Sequence, residues 1–172
     1  GDVETRGHFW AEAVAGLELE AIYFLQQIED AILFDLTTFS GYLQDTGTSR
    51  SEGVELGLTL PLSSQLSLQA NYSWNDTRTP EDQQRQRRPR DLANIGLSYH
   101  APGDRLRLNA FWRSSRNAID QVNEQVFALD NYNVIDLTAT YRLNDVLEFQ
   151  ARIENAGTAH YEEVIGYRNA GR

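Results

Sequence analysis

The chain contains no Cys, no Met and no Lys, and all 15 of its basic residues are Arg. Without Cys there is no disulfide scaffold, no thiolate-held zinc or iron–sulfur centre, and no thiol nucleophile. Without Met, the chain is expected to be a processed product or a piece of a longer reading frame. Positive charge is scarce: 15 Arg face 25 Asp and Glu, for a net charge of −10 and a pI near 4.7. A nucleic-acid backbone needs a basic face, so that partner class is set aside. Long apolar runs are missing too. The longest, Ala21–Leu25, has 5 residues, whereas a spanning helix needs about 20. No signal peptide is expected in the first residues of the chain. Walker A, G-x-G-x-x-G, G-x-S-x-G and H-E-x-x-H motifs are all absent, and with them the usual phosphate, nucleophile and zinc chemistries. What is present is 41% apolar residues, too many for a disordered chain.

Those residues are distributed with a period close to 2. In Leu66–Asn75 every even position is apolar and every odd one polar. Successive side chains of a strand point to opposite faces, so the segment has one apolar and one polar face. The same alternation runs through Leu17–Leu25, Val54–Leu60, Ala93–Tyr99, Leu106–Trp112, Ile135–Tyr141 and Leu147–Ile153. Ile22, Phe24 and Phe111 interrupt the polar face. With a weaker segment near Thr5–Val14, the pattern predicts about eight strands.

The connections alternate in length. Short ones fall near Ala15-Gly16, Pro61–Gln65, Ala101–Asp104 and Leu143–Asp145, where Pro fixes φ and Gly, Asn and Asp tolerate positive φ. Long ones are Ile28–Gly47, Asp76–Arg90, Ser115–Asn131 and the tail after Asn155. In an up-and-down sheet this puts the tight turns at one end and the long loops at the other. That is the layout of outer-membrane barrels. Hydropathy does not reveal such barrels, because they cross the bilayer on strands of alternating polarity. The predicted strands, about 9–12 residues, exceed the roughly 5–6 of globular sheets. The alternative is a soluble sandwich or barrel with the apolar face inward, holding a small apolar ligand. The faces occupied by Leu66–Trp74 and Leu147–Ile153 separate the two.

Three stretches carry a family resemblance. Thr48–Glu55 (TSRSEGVE) follows Tyr42–Gly47 (YLQDTG) and leads into an alternating strand. It resembles the point where a strand re-enters the bilayer in TonB-dependent outer-membrane receptors. Arg87-Arg88-Pro89-Arg90 is similar to the approach to a strand in that family. Most specific is the C-terminal part: Leu143-Asn144-Asp145, LEFQARIEN (Leu147–Asn155) and HYEEVIGYRNAGR (His160–Arg172). These look like the penultimate strand and last loop of vitamin B12 receptors of the BtuB type, although Ala156–His160 departs from that pattern. The resemblance implies an all-β, antiparallel, up-and-down transmembrane barrel of 22 strands behind an N-terminal plug. Residues 1–172 would be its C-terminal part, about eight strands, with the plug and final strand absent. A curved open sheet or a strained closure is then expected, with unpaired edges.

Site expectations follow from the two faces. The polar face (Arg107, Asn109, Arg113, Asp136, Arg142, Glu148, Arg152 and Glu154) is expected to form the lumen wall. Aromatics near strand ends on the apolar face (Tyr72, Trp74, Tyr99, Trp112 and Tyr141) suit a membrane girdle. Arg85, Arg88 and Arg90 in the long loop suit phosphate or carboxylate groups of a ligand, or of lipopolysaccharide. Tyr132 and Tyr167, at loop–strand junctions, suit stacking on a planar ligand. Glu29, Asp30 and Asp35 lack calcium-loop spacing. His8, His100 and His160 are isolated, so no metal, cofactor or catalytic set is expected.

The resemblance implies active transport across the bacterial outer membrane, most specifically of cobalamin, with a ferric siderophore or haem as the alternative. The expected partners are the receptor's own plug, TonB acting through it, a corrinoid or siderophore, and outer-membrane lipid and lipopolysaccharide.

Overall fold

The structure, a computed structural model, describes residues 3–13, 16–34, 41–123 and 125–169. Eight strands form one antiparallel sheet: β1 (Val3–Ala13), β2 (Leu17–Phe34), β3 (Tyr42–Pro61), β4 (Leu66–Arg78), β5 (Asp91–His100), β6 (Leu106–Arg116), β9 (Tyr132–Arg142) and β10 (Glu148–Ile153). Two small hairpins lie outside it: β7 (Ile119–Val122) with β8 (Gln125–Ala128), and β11 (Glu162–Val164) with β12 (Tyr167–Arg168). The sheet is up-and-down throughout. β1 and β10 each pair on one side only, so the barrel is open.

The register is what the alternation requires. One row across the apolar face reads Ala11, Leu19, Leu58, Ala70, Ile95, Trp112 and Ile135. A slip of one residue would turn a whole strand's apolar set to the polar side, so this row pins the pairing. The tight turns hold by local chemistry. The Ser63 hydroxyl accepts the N–H groups of Gln65 and Leu66 at 3.2 and 3.1 Å. The Asn144 side chain accepts those of Val146 and Leu147 at 3.0 and 2.9 Å. Asp104 takes positive φ in its turn.

The apolar face is open. Leu56 is 46%, Leu147 44% and Phe149 54% exposed, and among the described residues only Tyr132 and Val134 are buried apolar side chains. A soluble sandwich would bury this face. An isolated arc of a membrane barrel leaves it bare.

Two of the three interruptions of the polar face, Phe24 and Phe111, have a structural cause. Phe24 lies opposite Gly53 and Phe111 opposite Gly96. A Cβ on Gly53 would lie 2.7 Å from the Phe24 ring and 2.4 Å from the Trp74 carbonyl oxygen; one on Gly96 would lie 3.3 Å from the Phe111 ring. Each ring covers backbone that a glycine leaves bare, a recognised way of supporting glycine within a sheet.

One long connection differs from expectation. Residues 28–47, expected as a loop, continue the β2–β3 ladder as a ribbon pairing Ala31–Phe34 with Tyr42–Asp45. A bulge between Glu29 and Ala31 shifts the register, with Asp30 at φ 52°. The Gly47 N–H donates to the Asp30 carboxylate at 3.0 Å. The bulge puts the alternation out of phase on its two sides, which hid the ribbon from a period-2 reading. The connection 115–131 carries β7–β8 and the tail carries β11–β12.

Candidate functional site: the mouth at the long-loop end

At the long-connection end three segments converge on one carboxylate. Asp120, in β7, is 0% exposed. Its Oδ1 accepts from Arg87 Nε at 2.8 Å and from the Gln121 N–H at 2.9 Å. Its Oδ2 accepts from the Ile165 N–H in the β11–β12 hairpin at 2.9 Å. The loop after β4, the loop after β6 and the C-terminal hairpin are thereby tied together. Burial pushes the Asp120 carboxyl up, but the Ile165 N–H, the Arg87 guanidinium and the Gln121 N–H outweigh it and hold the group below the ordinary carboxylate range. Further bonds reinforce the junction: Arg87 N–H to the Ile119 carbonyl at 2.6 Å, and Gln84 Nε2 to the Asn117 carbonyl at 2.8 Å.

The C-terminal hairpin also packs on the polar face of the sheet. Tyr161 stacks on Tyr132 at 3.9 Å with 21° between the rings, and the Tyr132 hydroxyl donates to Glu163 at 2.6 Å. Between hairpin and sheet lies a cavity of about 430 Å³, lined by Arg87, Leu92, Arg113, Tyr132, Glu163 and Val164 among others. Leu92, Arg113 and Tyr132 all belong to the polar face.

The expected loop residues divide. Arg85 donates to the Ser49 hydroxyl at 2.6 Å, and Arg90 lies 2.9 Å from Asp76. Arg88 is exposed, and its carbonyl accepts from Gln84. Tyr167 is 75% exposed; Tyr132 is 8% exposed beneath Tyr161. Of the two residues that form the junction, Asp120 was not singled out by the sequence, and Arg87 was named only within the Arg87–Arg90 stretch, not as a site residue. They lie 33 positions apart, with no local pattern linking them; the long-loop arginines were the available signal.

The expected wall residues within strands share the polar face, as the register requires, and Glu154 lies just beyond the end of β10. Arg107 donates to Asp104 at 2.8 Å, Arg142 lies 3.9 Å from Glu148, and Arg152 lies 2.7 Å from Glu154. Asn109 donates to Thr138 at 3.0 Å, and Asp136 accepts the Asn155 N–H at 2.8 Å. Arg113 has no acid within salt-bridge distance among the described residues. The expected aromatics share the apolar face: Tyr72, Trp74 and Trp112 toward the long-loop end, Tyr99 and Tyr141 toward the turns.

An open antiparallel sheet, apolar outside, polar inside and roofed by loops at one end only, is part of an outer-membrane β-barrel. The comparisons make the class specific. A family model described as TonB dependent receptor-like, beta-barrel matches residues 9–156. The chain belongs to this family, and its place is the bacterial outer membrane. Comparison with curated protein sequences gives no match. The fold is similar to the outer-membrane ferripyoverdine receptor of Pseudomonas aeruginosa, with TM-score 0.76, 19% identity, and coverage of 99% of this chain and 26% of that one. It is similar to the copper transporter OprC, with TM-score 0.74, 20% identity, and coverage of 94% and 26%. It is also similar to the FrpB iron transporter of Neisseria meningitidis, with TM-score 0.72, 17% identity, and coverage of 93% and 27%. The chain thus spans about a quarter of the length of these structures.

Proposed function

We propose that residues 1–172 are the C-terminal part of the barrel of a TonB-dependent receptor for a ferric chelate of the siderophore type. The observation that carries this reading is the mouth. Three loop segments are locked over the polar face, and they roof a cavity lined by Arg87, Arg113 and Arg116 together with Asp130, Glu162 and Glu163, in which Arg113 has no acid within salt-bridge distance among the described residues. A guanidinium free of a carboxylate suits an anionic chelate. The likeness to structures described as a ferripyoverdine receptor and an iron transporter supports the same class. In this reading the polar face is the lumen wall, and the aromatics at the two ends of the apolar face bracket the hydrocarbon layer. The receptor's own plug and TonB supply the coupling, and this chain supplies wall and roof, with no chemical step on the ligand.

Cobalamin is the second reading, favoured by the tail elements Tyr161–Glu163 and Gly166-Tyr167. In the structure these residues serve the roof: Tyr161 covers Tyr132, Glu163 holds its hydroxyl, and Ile165 caps Asp120. The tail pattern therefore supports a shared loop architecture more than a shared ligand. The test is binding to the purified receptor that carries this chain, in detergent, of ferric pyoverdine, a ferric catecholate, haem and cyanocobalamin. Binding of a ferric chelate without cyanocobalamin is expected. Tight cyanocobalamin binding with no ferric chelate bound overturns the proposal and restores the cobalamin reading.

A further inference from the structure

We infer that the inner wall carries a second station for the cargo: a trough across β2–β6, centred on Gln69, Asn71 and Asn94, that takes neutral hydroxyl and amide groups on their way from the mouth. The inference rests on the transport reading of the barrel, not on which chelate is carried.

The trough follows two neighbouring rows of the register. One reads Glu20, Gly57, Asn71, Asn94 and Arg113. The other reads Glu18, Thr59, Gln69, Gly96 and Phe111. All of these are inward positions, and the centre of both rows, on β3, β4 and β5, is uncharged. Two cavities occupy the rows, one of about 340 Å³ toward β1 and one of about 260 Å³ toward β9. Gln69 and Asn71 line both, so the cavities meet at β4. Five strands at about 4.8 Å spacing give the trough a length of roughly 19 Å. It lies within the barrel: the outward residue between Gln69 and Asn71 is Ala70, inside the apolar stretch Leu66–Trp74. The trough is therefore separate from the mouth. Arg113 joins them, because it lines both the second cavity and the mouth cavity.

The shape is that of a site. On one flank of the amides Gly57 leaves the floor open; on the other the Phe111 ring lies over Gly96 and offers an apolar platform beside Gln69. Trp10, exposed on the same face, stands at the β1 end. Asn94 donates to Asn71 at 2.8 Å, which leaves the Asn71 amino group and the Asn94 carbonyl for a solute. Neutral bonds of this kind are weaker than charge-assisted ones. Passage needs contacts strong enough to admit a solute and weak enough to release it. The charges stand at the ends instead, Glu18 and Glu20 at one and Arg113 and Asp136 at the other. Hydroxyl and amide arms of a cargo fit the centre, with their apolar faces on the rings.

The experiment uses the full-length receptor that carries this chain, in cells for uptake and in detergent for binding. The probes are ferric pyoverdine and a ferric catecholate labelled with radioactive iron, and cyanocobalamin labelled with radioactive cobalt. N71D/N94D keeps the side-chain shapes and adds negative charge at the centre. Uptake of whichever probe enters is expected to fall at least about tenfold, while its binding to the receptor changes by less than about twofold. T138D adds the same charge on the inward face of β9, outside the trough, and should leave uptake unchanged. Full uptake by N71D/N94D overturns the proposal. An equal loss in T138D, or a loss of binding as large as the loss of uptake, overturns it as well. If the paired acids lower the melting of the barrel, Q69A decides, because it removes one amide without adding charge: a fall in uptake of about threefold with binding unchanged upholds the trough, and unchanged uptake overturns it. Uptake of cyanocobalamin alone overturns the siderophore reading, and the same variants then judge the trough with that probe.

Discussion

The wall and the mouth of this molecule are stabilised in different ways. In the wall, eight strands share ladder hydrogen bonds, while most described side chains on both faces stay at least partly exposed. Polar-face ion pairs there, such as Arg152 with Glu154, are open to solvent. In the mouth, one fully buried carboxylate gathers three segments and an aromatic pair is stacked beneath them. The wall depends on its surroundings, lipid on one side and lumen on the other. The mouth holds itself together. Changes in the mouth should therefore act through single contacts, and changes in the wall should matter mainly where backbone is crowded.

The largest expected effect is at the junction. Asp120→Ala removes one charge-assisted bond and the acceptor of two backbone N–H groups, and should loosen the loops by about 2–4 kcal/mol. Hydrogen exchange at Ile165 and proteolysis near Arg87 would report it, with the melting of the barrel nearly unchanged. Equal loss in both regions would break the division between wall and mouth. Within the wall, Gly53→Val forces atoms into the Trp74 carbonyl and the Phe24 ring and should destabilise by about 1–3 kcal/mol. Gly57→Ala is the control. Its Cβ would rest 3.4 Å from Glu20, so the shift in thermal unfolding should be small. Tyr132→Phe loses the bond to Glu163 and should cost about 1 kcal/mol, confined to the mouth.

Acid provides a reversible version of the first test. Because the folded Asp120 carboxyl lies below its ordinary value, its contribution is fully present above about pH 4. It is lost as pH falls below about 4 and through the lower folded value. Loop protection should therefore hold from pH 7 to 5 and fail only in stronger acid; failure near pH 6 would mean that another group holds the loops. The smallest effect is expected for Arg152→Gln, below about 0.5 kcal/mol in urea unfolding, because both partners of that pair are 65% exposed.

These contrasts also show what the amino-acid order reveals by itself. Period-2 alternation assigned Leu66–Trp74 and Ile135–Tyr141 to their faces, and the short turns at Pro61–Gln65 and Leu143–Asp145 set the strand order. Both signals are local. Asp120 joins Arg87 from 33 positions away and Ile165 from 45, and no short-range pattern records such a contact. Phe24 and Phe111 looked like errors in the alternation because their reason lies on the neighbouring strand, in Gly53 and Gly96. The β2–β3 ribbon escaped because a bulge sets Asp30 of β2 against two residues of β3, 46 and 47, and so changes the phase.

The open edges of β1 and β10 have a geometric consequence. In a barrel of 22 strands, eight strands subtend about 130° of the circumference. Such an arc cannot set its own radius. The curvature of the channel, and so the width available to a passing solute, is decided by how many neighbours complete the ring. The same side chains would line a wide conduit in one assembly and a narrow one in another.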